Sequence, residues 1–252
     1  MVGLLADRVA LVTGGCRGLG QAIVAAFAAE GARGAAVDLA AEAAAAAPPA
    51  GFIAVPADVT NETSLAAAFA ATVARFGNLD IVVANAGLVP PWRETEGLDL
   101  AEWDRVLAVN VRGVAATLKH AVPALKQRGG AIIAMASINA ETAHPRQLLY
   151  TASKHAVLGL VRAAALDLGR YGIRVNALAP GPIATDALRG RVRQRAAEGG
   201  PAEAEALRLL AADTALGRIA TAGEVARTAV FLASDMAGGI TGQLIRVDAG
   251  LR

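Results

Sequence analysis

The chain has 252 residues, enough to bury a large core in one α/β unit. Although 55% of its residues are hydrophobic, no apolar run approaches the roughly 20 residues of a membrane span. A formal net charge of +2 with 4% aromatic residues gives no basic, stacking surface for nucleic acid, and one cysteine with three dispersed histidines gives neither a disulfide nor a metal-ligand spacing.

The segment Met1 to Arg8 leads directly into a strand-like run and lacks the basic, apolar and small-residue succession of a secretory signal, so a cytoplasmic location is expected. Short β-branched runs then alternate with longer segments of helical period. Strands are expected at Val9 to Thr13, Gly34 to Leu39, Phe52 to Ala57, Asp80 to Ala84, Ala131 to Ala136, Arg174 to Ala179 and Gln243 to Val247. Helices are expected at Leu19 to Glu30, Thr63 to Phe76, Leu100 to Lys126, Tyr150 to Tyr171 and Gly223 to Ser234. This alternation predicts a Rossmann-like, doubly wound parallel sheet of about seven strands with helices on both faces, in a single domain spanning residues 1–252.

The alanine-rich stretch Ala40 to Ala50 reads as a short surface helix stopped by Pro48 and Pro49. From about residue 182 to 214 the alternation is interrupted by polar, helical sequence, a candidate lid over a site. Four arginines at two-residue spacing, Arg189, Arg191, Arg193 and Arg195, fall in that insertion. They read first as a solvated face, with anion binding as the alternative.

Thr13-Gly14-Gly15-Cys16-Arg17-Gly18-Leu19-Gly20 follows the first strand, and a helix begins inside it. Glycines there allow a tight turn and close approach of a pyrophosphate to the amides at a helix start, so Gly14, Arg17, Gly18, Leu19 and Gly20 are placed at a dinucleotide. Asp38, at the end of the second strand, can accept hydrogen bonds from the adenine ribose and repel the additional phosphate of NADP, which predicts NAD. Arg17 is the one residue of the loop that argues for NADP. Asp58 ends the third strand and either binds adenine or caps the next helix; Leu39 and Val59, beside these two acids, are assigned to the same site. Cys16 reads as a small side chain in a crowded loop rather than a reactive thiol.

Tyr150 precedes Lys154 by four residues on a helical segment, which sets both side chains on one face. A phenol needs a neighbouring cation to exchange its proton near neutral pH, and Lys154 offers one. Ser137 follows the fifth strand at the carboxyl edge where such sheets bind ligands, so its hydroxyl can hold a substrate oxygen beside Tyr150.

With these residues in place the chain resembles the short-chain dehydrogenase/reductase family over essentially its whole length. The glycine motif matches Gly14, Gly18 and Gly20; Asn-Ala-Gly matches Asn85, Ala86 and Gly87; Tyr-x-x-x-Lys matches Tyr150 and Lys154; and Pro-Gly matches Pro180 and Gly181. The resemblance implies that Tyr150 transfers the proton, Ser137 positions the reacting oxygen, Lys154 perturbs Tyr150 and holds the ribose, and Asn110 supports a water-mediated proton path. It places Ile183 and Thr185 near the nicotinamide amide and implies a homotetramer, with which the apolar helices Leu100 to Lys126 and Tyr150 to Tyr171 agree. A bend in the helix is the alternative reason for Asn110. Ala136 and Ala140 depart from the serine and glycine common in the family, and Ala140 is expected to reshape the pocket.

The expected activity is hydride transfer between NAD and a small-molecule secondary alcohol or ketone. A dinucleotide-binding regulator without chemistry, and an epimerase or dehydratase of the extended type, are the competing readings. Substrate contacts are expected from Ile138 to Leu149 and from 182 to 214: polar ones from Asn139, Glu141, His144 and Gln147, apolar ones from Leu148, Leu149 and Pro182, joined by Trp92.

Overall fold

The computed structural model describes residues 3–197 and 199–251, apart from the side chain of Ala187. Its centre is a seven-stranded sheet, all of it parallel, with the order β3-β2-β1-β4-β5-β6-β7. The strands are β1 (Val9–Thr13), β2 (Arg33–Asp38), β3 (Phe52–Pro56), β4 (Ile81–Ala84), β5 (Gly130–Met135), β6 (Ile173–Pro180) and β7 (Leu244–Val247). Each lies within a residue of its expected bounds, because a strand covered on both faces is written as a continuous apolar run. β1, with the sequence VALVT, is buried at all five positions.

Alternate side chains of each strand go to opposite faces and build two cores. On one face Val9, Leu11, Val82, Ile132 and Val175 pack with Leu65 and Phe69 of α3 (Glu62–Phe76), Leu118 and Leu125 of a later helix, and Val157 and Val161 of another. On the other, Ala10, Val12, Ile81, Val83, Ile133 and Leu178 pack with Ile23, Val24 and Phe27 of α1 (Gly18–Ala29) and with Val225, Ala229 and Val230 near the carboxyl end. Fully burying one such aliphatic side chain is worth about 1.5–3 kcal/mol, and this repeated burial fixes which face each helix covers.

Between β2 and β3, α2 (Ala40–Ala45) is short and ends before Pro48, as expected. The segment expected as one helix from Leu100 to Lys126 is three pieces: α4 (Leu100–Leu107), a π-helical turn at Ala108–Gly113, and α5 (Val114–Leu125). The widened turn has a local cause. Its Asn110 side chain bonds to backbone outside the helix, and its Gly113 faces Val59, where an added Cβ would lie 2.9 Å from Val59 Cγ2. The long helix α6 (Leu148–Leu168) follows β5, and α7 (Asp186–Ala197) and α8 (Glu203–Ala212) fill the 182–214 insertion. α9 (Ala222–Ala233) opens with a capping box between Thr221 and Glu224 and packs against α1.

β1 runs to β2 and β3 on one side, and the chain then returns to lay β4 on the other side of β1. The carboxyl ends of β1 and β4 therefore part at a topological switch point, the place where sheets of this kind leave a crevice for ligands. Among the described residues, no helix is long and apolar enough to cross a membrane, and no group of three or more His, Cys, Asp or Glu is placed to hold a metal ion.

Candidate active site

The turn after β1 supplies one wall of the crevice. Gly14 has φ +62°, the left-handed region open to glycine, and a Cβ on Gly20 would run into the Gly14 carbonyl oxygen. A Cβ built on Gly18 would meet nothing within 4 Å, so the loop faces open space at the start of α1. No acidic side chain occupies the first turn of α1. These features fit a dinucleotide pyrophosphate against free amides at a helix start. Leu19, just inside the helix, packs partly buried against the core beneath.

The loop is braced from β4. Asn85 Nδ2 donates to the carbonyls of Thr13 (2.9 Å) and Gly14 (3.0 Å), and Thr13 Oγ1 accepts from the amides of Asn85 and Ala86. The side chain of Asn85 thus holds the loop's shape. Gly87 is the next residue, and a Cβ there would come within 3.4 Å of Asn110 Oδ1 and 3.8 Å of Lys154 Nζ, so the strand's exit lies directly beside two of the expected catalytic residues.

Asp38 is buried at the end of β2, where Oδ2 accepts from the amide of Cys16 (3.0 Å) and Oδ1 from that of Leu39 (3.0 Å). Its carboxylate is thereby tied to the glycine-rich turn. Arg17 points elsewhere: its guanidinium lies 3.5 Å from Glu42 on α2. The Cys16 thiol is pushed up to about 11, by burial and then by the charges of Asp38 and Glu42, which keeps it protonated and unreactive at neutral pH. Leu39 is exposed beside Asp38. Asp58 caps no helix; its Oδ1 accepts from the amide and hydroxyl of Thr60 (both 2.8 Å), and Asn61 caps α3 instead. Val59 is buried against the π turn.

At the carboxyl end of β5 the expected catalytic residues come together. The Ser137 hydroxyl lies beside the Tyr150 phenol and draws its pKa down, while Ser137 Oγ donates to Asn139 Oδ1 at 3.4 Å. Lys154 is buried one turn along α6, with Nζ 2.7 Å from the Met135 carbonyl and 5.6 Å from the centre of the Tyr150 ring. Burial brings its ammonium down to about 8. Burial also raises the Tyr150 phenol, while the Ser137 hydroxyl and the charge of Arg191 pull the other way. The net direction is upward, so at neutral pH Tyr150 holds its proton and is set to act as an acid.

Asn110 is fully buried on the π turn; its Nδ2 donates to the Leu88 carbonyl (2.8 Å) and to Ser153 Oγ (3.2 Å), and its Oδ1 accepts from the Leu88 amide (2.7 Å). Both polar side-chain atoms are engaged within the protein, so the side chain braces the β4 exit against α6. Pro180 ends β6 and Gly181 donates its amide to Val247. Ile183 is buried and bridges to Ala220, while Thr185 Oγ1 accepts from the Leu188 amide and holds the first turn of α7.

The pocket beside Tyr150 differs from the expected one. It is lined by Val89 to Thr95, Leu98, Glu102, Arg146 to Tyr150 and Arg191. Of the contacts expected from sequence, Trp92, Gln147, Leu148 and Leu149 are in the wall, whereas Glu141, His144 and Pro182 are not. Ala140 lies in the core beneath instead of reshaping the pocket. Asn139 is buried and turned inward: its Nδ2 donates to Gln147 Oε1 and Thr151 Oγ1, both at 3.0 Å, and its amide donates to Ser137 Oγ at 3.3 Å. The strip at 89–98 carries no motif, and only Trp92 within it stood out in the sequence.

The four arginines are scattered around α7, as their two-residue spacing implies, and they meet protein on two sides. Two-residue spacing turns alternate side chains to opposite sides of a helix. Arg189 and Arg193 meet Glu203 of α8 at 2.7 and 3.8 Å, whereas Arg191 and Arg195 lie 5.9 and 5.1 Å from the Trp92 ring centre.

Comparison with known proteins gives this arrangement its relatives. The family described as enoyl-(acyl carrier protein) reductase matches residues 14–252. Short-chain dehydrogenase reductase 3a of Arabidopsis thaliana is 38% identical over 264 residues, covering 99% of this chain and 97% of that protein. The cis-4-hydroxycyclohexanecarboxylate dehydrogenase of Sinomonas cyclohexanicum is 39% identical over 251 residues, covering 97% and 96%. A crystal structure of levodione reductase is 35% identical, with a TM-score of 0.90 and 97% of each chain covered.

Proposed function

The chain belongs to the short-chain dehydrogenase/reductase family, as an oxidoreductase of alcohols or ketones, and from that premise we propose that it transfers hydride between NAD(H) and a small secondary alcohol or its ketone. The observation that carries the proposal is the Ser137 hydroxyl beside the Tyr150 phenol, with buried Lys154 one turn along α6, next to a glycine-rich turn that fits a dinucleotide.

When bound, the nicotinamide supplies or takes the hydride. The chain's own residues handle the proton. In ketone reduction Ser137 and Tyr150 hold the carbonyl oxygen, and the protonated phenol gives its proton to that oxygen as the carbonyl carbon is reduced. In alcohol oxidation the same phenol must first lose its proton, and the Lys154 ammonium and the Arg191 guanidinium favour the phenolate. Asn110 acts by holding the β4 exit against α6. The assignment of Gly14, Gly18 and Gly20 to the pyrophosphate rests on their open, amide-lined turn.

The preference for NAD rests on Asp38, a buried carboxylate at the end of β2 beside the glycine-rich turn, where an acid favours a ribose hydroxyl over a phosphate, and on the diversion of Arg17 to Glu42. α7 and α8 form a lid in this reading. Arg191 of α7 stands in the wall of the pocket beside Tyr150, so a substrate enters as the lid gives way. A homotetramer agrees with the exposed Leu100 and Leu166 on the two helices from which association is expected.

The test is absorbance of reduced nicotinamide with NAD, and separately NADP, across a panel of secondary alcohols and ketones. Turnover with NAD supports the proposal; turnover with NADP alone overturns its cofactor. Because the matched family is described as an enoyl reductase, an enoyl thioester belongs in the panel, and NADH oxidation by it without any alcohol turnover would establish that second reading. NADH binding with no turnover at all would establish a regulator.

A further inference from the structure

The strip at 89–98 brings to the pocket beside Tyr150 a side chain whose polar atom is left over. Trp92 stands in the wall, and its Nε1 is buried with no hydrogen-bond partner among the described residues. A buried indole N–H ordinarily finds an acceptor, because it gives up water on burial and an apolar wall returns nothing for it. Polar neighbours in the same wall are taken: Arg93 lies 3.2 Å from Glu102, Arg146 lies 3.7 Å from Glu94, and Gln147 Oε1 accepts from Asn139. The indole also belongs to the reacting centre's surroundings. Arg191 of α7 is 5.9 Å from the Trp92 ring centre, and its charge acts on the Tyr150 phenol as well. With Arg195 at 5.1 Å, positive charge stands over the ring, which polarises the indole and strengthens its N–H as a donor.

We propose that Trp92 Nε1 binds a second oxygen of the substrate, separate from the one held by Ser137 and Tyr150, so that the preferred substrate is a diketone, hydroxyketone or diol. The proposal rests on the oxidoreductase reading of the same site and names the substrate class within it. One neutral donor matches one lone pair, so a carbonyl or hydroxyl oxygen satisfies it without bringing a charge into the wall. The chemical step is unchanged: the first carbonyl carbon takes the hydride, its oxygen takes the phenol proton, and the second oxygen stays as it was. The part of that second oxygen is alignment. Two anchored oxygens fix the carbon skeleton between them, which converts binding into placement of the reacting carbon. An analogue without the second oxygen leaves the N–H unpaired, the condition under which a site discriminates most strongly. Pro91, Leu148 and Leu149 supply the apolar wall along the skeleton.

The experiment measures kcat/KM with NADH for 1,4-cyclohexanedione against cyclohexanone, and for 2,5-hexanedione against 2-hexanone, in the wild-type protein and in Trp92→Phe. The variant keeps an aromatic wall and removes the N–H. Each pair shares a skeleton, and the intrinsic reactivity of the dione is the same in both proteins, so it cancels when their ratios are compared. Leaving a buried donor unpaired corresponds to about 10- to 100-fold, so the dione-to-monoketone ratio of at least one pair should fall by that factor in Trp92→Phe, mainly through KM. A second arm needs neither turnover nor a folded Trp92→Phe. The chain has two tryptophans, so its nitrogen-15 spectrum holds two indole N–H resonances, and Trp103→Phe identifies that of Trp92 as the one that stays. In the wild-type protein with NAD, which cannot reduce a ketone, saturating dione should move the Trp92 resonance downfield, the direction of a hydrogen bond formed, and the matching monoketone should not. Equal ratios in the two proteins, or a resonance that no dione moves, overturn the role of Trp92 and, where ketones are still reduced, leave the oxidoreductase reading standing. A resonance moved by the dione with no ketone reduced supports the indole site and overturns the oxidoreductase reading instead.

Discussion

The two walls of the crevice are built on different principles. The nucleotide wall is local: the turn after β1, the end of β2 and the exit of β4 lie within one layer of strands, and its polar atoms are spent on one another, with Asn85 on the carbonyls of Thr13 and Gly14 and Asp38 on the Cys16 amide. The substrate wall is assembled from the strip at 89–98, the start of α6 and α7, roughly a hundred residues further along. Its charges meet one another, Arg93 with Glu102 and Arg146 with Glu94, instead of holding the backbone. A wall that braces itself fixes one ligand shape, whereas a wall of side chains on a strip and a helix outside the sheet can be refitted by substitution without disturbing the sheet. Tyr150 and Lys154 form the seam between them. Substitutions on the nucleotide wall should therefore change cofactor use, those on the substrate wall substrate use, and those at the seam the chemical step.

The largest effect is expected at the seam. Tyr150→Phe removes the proton donor and keeps the ring, so kcat should fall by about 10²- to 10⁴-fold, the usual contribution of positioned acid–base catalysis, while NADH affinity measured by fluorescence titration stays within a few-fold. Near-normal kcat in that variant would separate the chemistry from the seam and break the comparison.

Lys154 gives the seam a pH signature of similar scale. Its folded-state value, about 8, lies below the ordinary 10.5, so above about pH 8 the folded protein gives up a proton that the unfolded chain retains. The unfolded state then binds more protons, and stability rises with pH in this window. Tyr150 acts in the opposite direction only above its ordinary value of 10, because its phenol is raised. Unfolding free energies of the cofactor-free protein should therefore gain about 1.4 kcal/mol per pH unit from this one group between about pH 8 and 10, relative to Lys154→Met. Urea titrations of both proteins at the two ends of the window measure the difference. Parallel pH profiles would mean that the ammonium is not held in a desolvated site.

The nucleotide wall was legible in the sequence because its signals are short-range and tied to strand ends: a glycine-rich turn after an apolar run, then an acid at the end of the next run. Tyr150 and Lys154 were legible for the same reason, four residues apart on one helix. The substrate wall was not. Arg191 reaches Trp92 across about a hundred residues, and the alternation of the four arginines between Glu203 and the pocket depends on where α8 packs. At Asn110 the sequence offered a bend in the helix as the alternative reading, and the π turn stands there; its cause, a pair of bonds to the Leu88 backbone, is what helical periodicity does not report.

On the nucleotide wall, Asp38→Asn removes the negative charge and keeps an acceptor for one of the Cys16 and Leu39 amides, which Asp38 meets with separate oxygens. If that charge excludes the phosphate of NADP, the ratio of kcat/KM for NADP to that for NAD should rise by about 10- to 100-fold, the scale on which like charges discriminate. Substrate KM should change little. A variant with an unchanged cofactor ratio would leave Asp38 as a brace for the turn and shift the cofactor preference to other residues of this wall.

The smallest effect tests whether the substrate wall also supports the seam. Asn139 donates to Gln147 and Thr151 through its side chain and to Ser137 Oγ through its backbone, so it links the start of α6 to the hydroxyl that holds the reacting oxygen. Removing the side chain in Asn139→Ala breaks the first link, together with the 3.4 Å bond that Ser137 Oγ donates to Asn139 Oδ1, and leaves only the backbone link. If the link to α6 sets the angle of Ser137, kcat should fall by about 10-fold with KM nearly constant, since a small misplacement of a reacting group acts on the chemical step. If Asn139 only fills space, the loss should appear in unfolding temperature with kcat intact. Thr151→Ala alone should reproduce part of the kcat loss, and the double variant should lose less than the product of the two, because both substitutions break the same bond. Strictly multiplicative losses would show that Asn139 and Thr151 act separately and that Ser137 takes its position from the end of β5 alone.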